Sequence, residues 1–473
     1  MVRLTLANVW GKSIYPSLGL GYIAAYLQKH GGFSEISIVE CGQKEALQKI
    51  RETKPDIVGF GSTTPGFFGN ISVAEQLKKE LDILTVIGGT HITSLPQTLP
   101  SAFDFGIVGE GEQTFLELMQ AIEAGRIARQ QLKKINGLAF HDRKEVAITK
   151  PRALIEPLDK IPFPARGLFD MQHYLKKQDV LCTHEQLRGT SIMTSRGCPY
   201  KCVFCQATRH WNKLRMNSAK YVAEEIQLLH DKYGVEALAI VDDLFIASKK
   251  RVAEIVKELE QRKLLGEIKF LVDGRANLID SEILVLLKKM GVANVSIGFE
   301  SGSERMLRYL KNDSVTLNQN LDCVNQISKA GFGIYGQFII GSPTETKEEM
   351  LETIKLMKNP AISTAHVSVM TPLPGTELWE YYLKQNPNID VAGIDWRRFD
   401  MDPISRHDDS VFVGSVPFEE FVSLYNAARA VSLEKEAGGK GFWSFENIFK
   451  AIKNPLLAFR LLSKIFKSKI GAS

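Results

Sequence analysis

Two stretches of the chain repeat one pattern: a short apolar run, a turn of small or polar residues, then an amphipathic segment with apolar positions three and four apart. In residues 2 to 125 it predicts strands at Val2 to Asn8, Ile36 to Glu40, Ile57 to Gly61 and Thr85 to Ile87, with a fifth before Gly109. Helices are expected at Gly19 to Lys29, Lys44 to Glu52 and Ile71 to Leu81. That alternation builds an α/β layer, a doubly wound parallel sheet. Residues 187 to 385 repeat it, with strands at Ser191 to Thr194, Ala237 to Val241, Lys269 to Val272, Asn294 to Phe299, Ile334 to Ile340 and His366 to Thr371. Amphipathic helices fall between them, among them Ala219 to Tyr233, Lys249 to Lys263 and Asn318 to Ala330. Six units are too few for a closed eightfold barrel.

Between the two series the pattern loosens. Asn136 to His141 and Glu145 to Thr149 read as a small hairpin, and the four prolines of Pro151 to Arg166 deny that stretch helix and sheet ladders. Leu158, Ile161 and Phe163 give it apolar anchors, so an ordered linker is expected. Beyond Tyr382 the composition is mixed up to a helix at Phe418 to Glu434. The final segment, Asn454 to Ile470, reads as an amphipathic helix with Arg460, Lys464 and Lys467 on a narrow stripe. It suits packing on its own protein or a partner, or peripheral contact with an anionic membrane surface.

Small and hydroxyl residues gather at strand ends in the first series. Gly59, Gly61, Ser62, Thr63 and Thr64 follow the third strand, Gly88, Gly89, Thr90 and His91 the fourth, and Gly109-Glu-Gly-Glu112 the fifth. One such turn is ordinary; three on one edge form a crevice where backbone can approach a flat or phosphate-bearing ligand. In the second series Asp242, Asp243, Arg275, Glu300, Ser301, Gln337 and Gly341-Ser-Pro-Thr-Glu345 fall at or near strand ends, over a barrel mouth. Asp242 and Asp243 are candidates for proton transfer, with helix N-capping as the plainer role for at least one.

The densest chemistry is Thr194-Ser-Arg-Gly-Cys-Pro-Tyr-Lys-Cys-Val-Phe-Cys-Gln206, which puts Cys198, Cys202 and Cys205 on one loop at a strand's C-terminal end. Three thiolates at this spacing suit three corners of an iron-sulfur cube and leave the fourth iron open. The plainer alternative is structural zinc with His184 or His210 as a fourth ligand, but no second C-x2-C pair follows to close such a site.

Cys198-x3-Cys202-x2-Cys205, with Phe204 before the last cysteine, resembles the signature of the radical S-adenosylmethionine (SAM) superfamily. The resemblance implies a partial (β/α)6 TIM-type barrel and a 4Fe-4S cluster on the three cysteines. It also implies SAM chelated by the open iron and cleaved on reduction to a 5'-deoxyadenosyl radical. It carries Phe204, Arg275, Glu300 and Ser301 over as SAM contacts, Arg275 through the carboxylate or else in a structural ion pair. The first half resembles the cobalamin-binding domain that precedes many such barrels, through Pro16-Ser-Leu-Gly-Leu-Gly-Tyr-Ile-Ala-Ala-Tyr-Leu27, Pro55-Asp-Ile-Val-Gly-Phe-Gly-Ser62, Gly88-Gly-Thr-His91 and Gly109-Glu-Gly-Glu112. By that resemblance Ser62, Thr63, Gly88, Gly89, Thr90, Gly109 and Glu110 contact cobalamin. No Asp-x-His-x-x-Gly occurs, so the cobalt is expected without a protein histidine, His91 being the only one near the crevice.

The organisation expected is a Rossmann-like cobalamin-binding domain over 1–126, a linker with the hairpin over 127–186, the radical SAM partial barrel over 187–385 and a small, mostly helical C-terminal region over 386–473. A balance of +5 in 473 residues is too mild to argue for nucleic acid. Six cysteines, three of them clustered, make a poor disulfide framework. With no signal-like start and no stretch apolar enough for a bilayer span, a reducing cytoplasm is expected, with membrane association through the tail as an addition.

The function expected is methylation of an unactivated carbon, or of phosphinate phosphorus, with a lipid, isoprenoid or specialised metabolite as substrate and flavodoxin or ferredoxin as electron donor. The alternatives are a radical cyclase or rearrangement enzyme of the same architecture and a non-catalytic, metal-stabilised binding protein. A methylthiotransferase is disfavoured, because the N-terminal domain holds Cys41 alone.

Overall fold

The computed structural model describes residues 2–211, 213–399, 401 and 411–437. Gly438 to Gly441 and the basic tail Asn454 to Ile470 lie outside the described residues. Two seven-stranded sheets organise the chain.

The first contains β1 (Leu4–Asn8), β2 (Ile36–Glu40), β3 (Ile57–Gly61), β4 (Leu84–Gly88), β5 (Phe105–Ile107), β6 (Leu138–Asp142) and β7 (Glu145–Ile148), in the order β2-β1-β3-β4-β5-β6-β7. The first five strands run parallel. Their near-continuous apolar runs are buried on both faces, as a parallel sheet covered by helices requires. The hairpin β6–β7 adds to β5 antiparallel, so it extends this sheet instead of standing in the linker.

The second sheet contains β8 (Lys177–Gln178), β9 (Leu187–Ile192), β12 (Ala237–Ile240), β13 (Lys269–Gly274), β14 (Val292–Glu300), β15 (Gly333–Ile340) and β16 (Thr364–Val369). Six parallel strands, β9 and β12 to β16, curl into a partial barrel, and β8 pairs antiparallel at one edge. Each crossover helix starts where the sequence supplies a cap: Ser218, Ser248, Asp280, Thr316 and Thr346 each accept a backbone N–H of the first turn. Two further strands, β10 (Ser195–Arg196) and β11 (Arg215–Met216), form a short antiparallel ribbon that brackets the cysteine loop.

The region after the barrel divides in two. Trp379, Trp396, Phe399 and Val411 pack into the core of the first sheet beside Phe67, Ile92 and Phe103. The helix Phe418–Glu436 returns to β16 and the helix Lys347–Met357, where Phe421, Tyr425 and Ala428 join the barrel core. Among the described residues no helix is long and apolar enough to cross a membrane.

The proline-rich segment is fixed to the barrel by a buried charge. Arg166 donates to Glu225 at 2.9 Å and to the carbonyl of Ser191, and both side chains are almost fully buried. Burial raises the Glu225 pKa against the pull of Arg166. Arg166→Met leaves that carboxylate uncompensated, so we expect a loss of about 3–5 kcal/mol in urea unfolding, most of it recovered when Glu225→Gln is added.

Candidate active site

The cysteine loop leaves β10 at the C-terminal edge of the barrel. Gly197 takes φ +89 there, and a Cβ on it would stand 2.5 Å from the carbonyl of Lys213, so the ribbon closes only around glycine. Asp242, just past β12, accepts from the backbone N–H of Thr194 (2.5 Å) and Ser195 (3.0 Å) and from both hydroxyls. Asp243 accepts from the N–H of Gly197 at 2.9 Å. Neither caps a helix, since Ser248 caps the helix that follows; both carboxylates hold the root of the loop. Burial raises the pKa of each. Further along, Val203 N–H donates to Leu310 O and Gln206 Nε2 to Pro374 O, which anchors the far side.

None of the three cysteines carries a disulfide, and each is partly exposed. Burial raises the Cys198 thiol, opposed by the N–H of Tyr200. Among the described residues no three Cys, His, Asp or Glu side chains are grouped for a single metal ion. His184 faces Asp179, and His210 is half-buried with a shielded, unpartnered Nε2. A cube gives each of three soft thiolates its own iron, so the donor set on this one loop fits a cluster.

Arg275 lies over the Tyr200 ring at 3.8 Å and donates to Cys202 Sγ at 3.4 Å and to Ser314 Oγ at 2.5 Å. Its partners are a sulfur and a hydroxyl, not the acidic neighbour considered from the sequence. Glu300, at φ +60, pairs with buried Lys311 at 2.6 Å, and Lys311 in turn stands 5.9 Å over the Phe204 ring. Ser301 bonds to Thr353 and caps the turn at Ser303. Phe204, Arg275 and Glu300 are thus brought to one side of the loop, through Lys311 and Ser314, which the sequence reading missed. Ser301 sits behind them.

Beside the root of this loop, at Ser195 and Arg196, is a cavity of about 530 Å³ between the strand ends of the two sheets. Ser62, Thr63, Gly88, Gly89, Thr90, Gly109 and Glu110 all line it, and Met193, Ser195, Arg196, Trp211 and Asp243 form the opposite wall. It runs inward past Leu20, Ile23 and Phe115, so the floor is apolar. Gly89 has φ +108, and a Cβ there would meet Ser62 O at 2.2 Å. A flat, largely apolar cofactor with polar edges fits these walls.

Two residues of the crevice are already engaged within the protein. Glu110 reaches the cavity wall with its carboxylate already taken: Arg196, Arg215 and the N–H of Ile155 donate to it. His91 is fully buried, bonded to Thr64 and enclosed by Phe67 and Trp396, and burial lowers its pKa to about 3. It is a hydrogen-bonded turn residue and is not among the residues lining the cavity.

Below the loop the inward face of the barrel is polar, while nearer the strands' N-terminal ends Val180 and Leu181 pack against Ala237 and Ala239. Register puts Asp273 beside Ser296 and Tyr335 in one layer, and Gly298, Gln337 and His366 in the next. Gln337 is exposed in the middle of a parallel strand, so water reaches the barrel interior at that level. Gln337 Nε2 donates to Ser296 Oγ at 2.8 Å, and Ser296 bonds to the Asp273 carboxylate. Asp273 stands two residues before Arg275, about 6.5 Å down the same strand face.

A three-thiolate loop at the mouth of a parallel half-barrel, opposed to a Rossmann-like crevice, defines a two-cofactor radical enzyme. Residues 192–357 match the radical SAM superfamily model and residues 6–119 the B12 binding domain model. An uncharacterized methyltransferase of Pyrococcus horikoshii is 33% identical over 424 residues, covering 87% of this chain and 88% of that protein. The cytidylyl-2-hydroxyethylphosphonate methyltransferase of Streptomyces wedmorensis is 27% identical and an anaerobic magnesium-protoporphyrin IX monomethyl ester cyclase of Rubrivivax gelatinosus 30%, covering 78% and 77% of this chain, and 78% and 66% of their own lengths. In fold the chain resembles the radical SAM methyltransferase TsrM of Kitasatospora setae (TM-score 0.70, 17% identity, 91% of this chain and 89% of that one). It also resembles the cobalamin-dependent radical enzyme OxsB (TM-score 0.71, 16% identity, 99% and 71%). The chain belongs to the radical SAM superfamily, in the branch with a B12-binding domain ahead of the radical domain.

Burial, with Asp242 and Asp243 adding to it, raises the Asp273 pKa to about 7. An unfolded aspartate ionises near 3.9, so between about pH 4 and 7 the folded state binds the extra proton and wild-type stability falls as pH rises. Asp273→Asn removes that fall. The thermal midpoint of the variant relative to wild type should therefore climb from pH 5 to pH 8.

Proposed function

We propose that this protein is a cobalamin-dependent radical SAM methyltransferase whose substrate is a small molecule with a polar group near the reacting atom. The observation that carries the reading is the single cavity shared by the glycine-rich strand ends and the root of the cysteine loop. When bound, the cluster and SAM supply the hydrogen-abstracting radical and the corrinoid supplies a methyl group.

The chain's own residues supply position. Cys198, Cys202 and Cys205 hold the cluster, and Arg275 presents an N–H to the Cys202 sulfur, one of the protein's means of setting a cluster's electronics. Phe204, Glu300 and Ser301 border the SAM end. Ser62, Thr63, Gly88, Gly89, Thr90 and Gly109 offer backbone and hydroxyls to the corrinoid edge. In the lumen, Asp273, Ser296 and Gln337 are matched to a substrate donor group, and a carboxyl titrating near neutrality can take a proton there. That lining suits a polar metabolite better than the hydrocarbon of a lipid or isoprenoid. A flavodoxin or ferredoxin serves as electron donor.

The cyclase relative favours a second reading, a radical cyclase of the same architecture. Anaerobic protein reconstituted with iron and sulfide, loaded with hydroxocobalamin and given SAM and a reductant, separates the two. We expect brown protein with about four irons per chain, lost in Cys202→Ala. We also expect S-adenosylhomocysteine, from the donated methyl group, to accumulate with 5'-deoxyadenosine. 5'-Deoxyadenosine alone favours the cyclase, and colourless zinc protein removes both readings.

A further inference from the structure

The ribbon that carries the cysteine loop is fastened to the other domain. Arg196 and Arg215 are cross-strand partners in β10 and β11, one just before the loop and one just after it. Arg196 divides its guanidinium between Glu110 Oε1 at 2.7 Å and Glu112 Oε1 at 2.6 Å. Arg215 donates to both oxygens of Glu110, at 2.9 and 3.0 Å, and to the carbonyl of Ile155 at 2.9 Å. All four residues are at most 7% exposed. Two cations therefore meet two anions in a closed, neutral set, with Tyr22 under Arg196 and Trp211 under Arg215. Burial alone would raise Glu110; the two arginines hold its carboxyl below the ordinary range.

The same atoms belong to two sites. Glu110, Gly111, Glu112, Arg196 and Trp211 are wall of the cavity, whereas Arg196 is two residues from Cys198. A buried ion set of this kind has one good geometry, because displacing either partner leaves an unpaired charge out of water. Whatever orders the wall orders the root of the loop.

We infer that the Arg196/Arg215–Glu110/Glu112 set couples the two cofactor sites, so that filling either one raises the affinity of the other. This rests on the corrinoid and cluster readings above. Coupling of this kind is reciprocal and typically amounts to about 5–150-fold in affinity. Arg196 and Arg215 are positioning residues here, acting through the loop and the wall.

The test is a titration of full-length anaerobic protein with hydroxocobalamin, followed by absorbance, with and without the reconstituted cluster. In the reciprocal experiment, iron loss to a chelator is timed with and without hydroxocobalamin. Wild type should bind hydroxocobalamin at least about fivefold tighter when the cluster is present, and should lose iron correspondingly more slowly when the corrinoid is present. Arg196→Lys loses the fork, and Glu112→Gln is the milder variant that leaves Arg196 on Glu110. Both should still take up each cofactor, with the affinity ratio falling toward one; if Arg196→Lys does not fold, Glu112→Gln decides. Equal affinities in wild type, or an undiminished ratio in Glu112→Gln, overturn the coupling alone. Failure of every form to retain corrinoid overturns the functional reading along with it.

Discussion

Two guanidinium groups removed from water need two carboxylates beside them, and in this protein the carboxylates come from the other sheet. That constraint fixes how the halves of the molecule meet. Parallel strands send their C-terminal ends to one edge, so each sheet has one edge where turns and polar groups collect. Arg196 and Arg215 on one edge and Glu110 and Glu112 on the other bring those edges face to face. The cavity is the space left between them. Its polar rim and apolar floor follow from what each sheet already presented.

The parts legible in the sequence were those set by local rules. Period-2 and period-3.6 patterning marks the strands and helices, and the spacing of Cys198, Cys202 and Cys205 survives folding because one loop carries all three. The strand-end glycines of the first sheet were readable for the same reason, since a turn is a local object. What the sequence could not reveal were partners distant along the chain. Nothing near Asp242 or Asp243 announces that they grip residues 194 to 197, nearly fifty positions earlier. Nothing local marks Lys311 as the partner of Glu300, eleven residues earlier, or Ser314 as the partner of Arg275. Arg196 did lie inside the cysteine motif. Its only available clue was a charged residue in a run otherwise suited to burial.

Polarity inside the barrel bears on what the enzyme handles. A closed barrel fills its centre with branched apolar side chains in layers. Here the inner layers carry Asp273, Ser296, Tyr335, Gln337 and His366, and water reaches Gln337. The stability comes instead from the layer between the strands and the outer helices, the largest buried apolar cluster among the described residues. The division leaves the lumen free to vary in chemistry with little effect on the fold.

One packing feature sets the order in which the molecule is completed. Trp379, Trp396, Phe399 and Val411, which follow the entire barrel, are part of the first sheet's core, and Trp396 closes over His91 at the turn that lines the crevice. A ribosome delivers those side chains only after every barrel strand has been made. The domain that emerges first therefore waits longest for its last core residues, and until they arrive the turn behind its crevice lacks its final packing. The nascent chain passes through a stage in which the crevice is less enclosed than it ever is again.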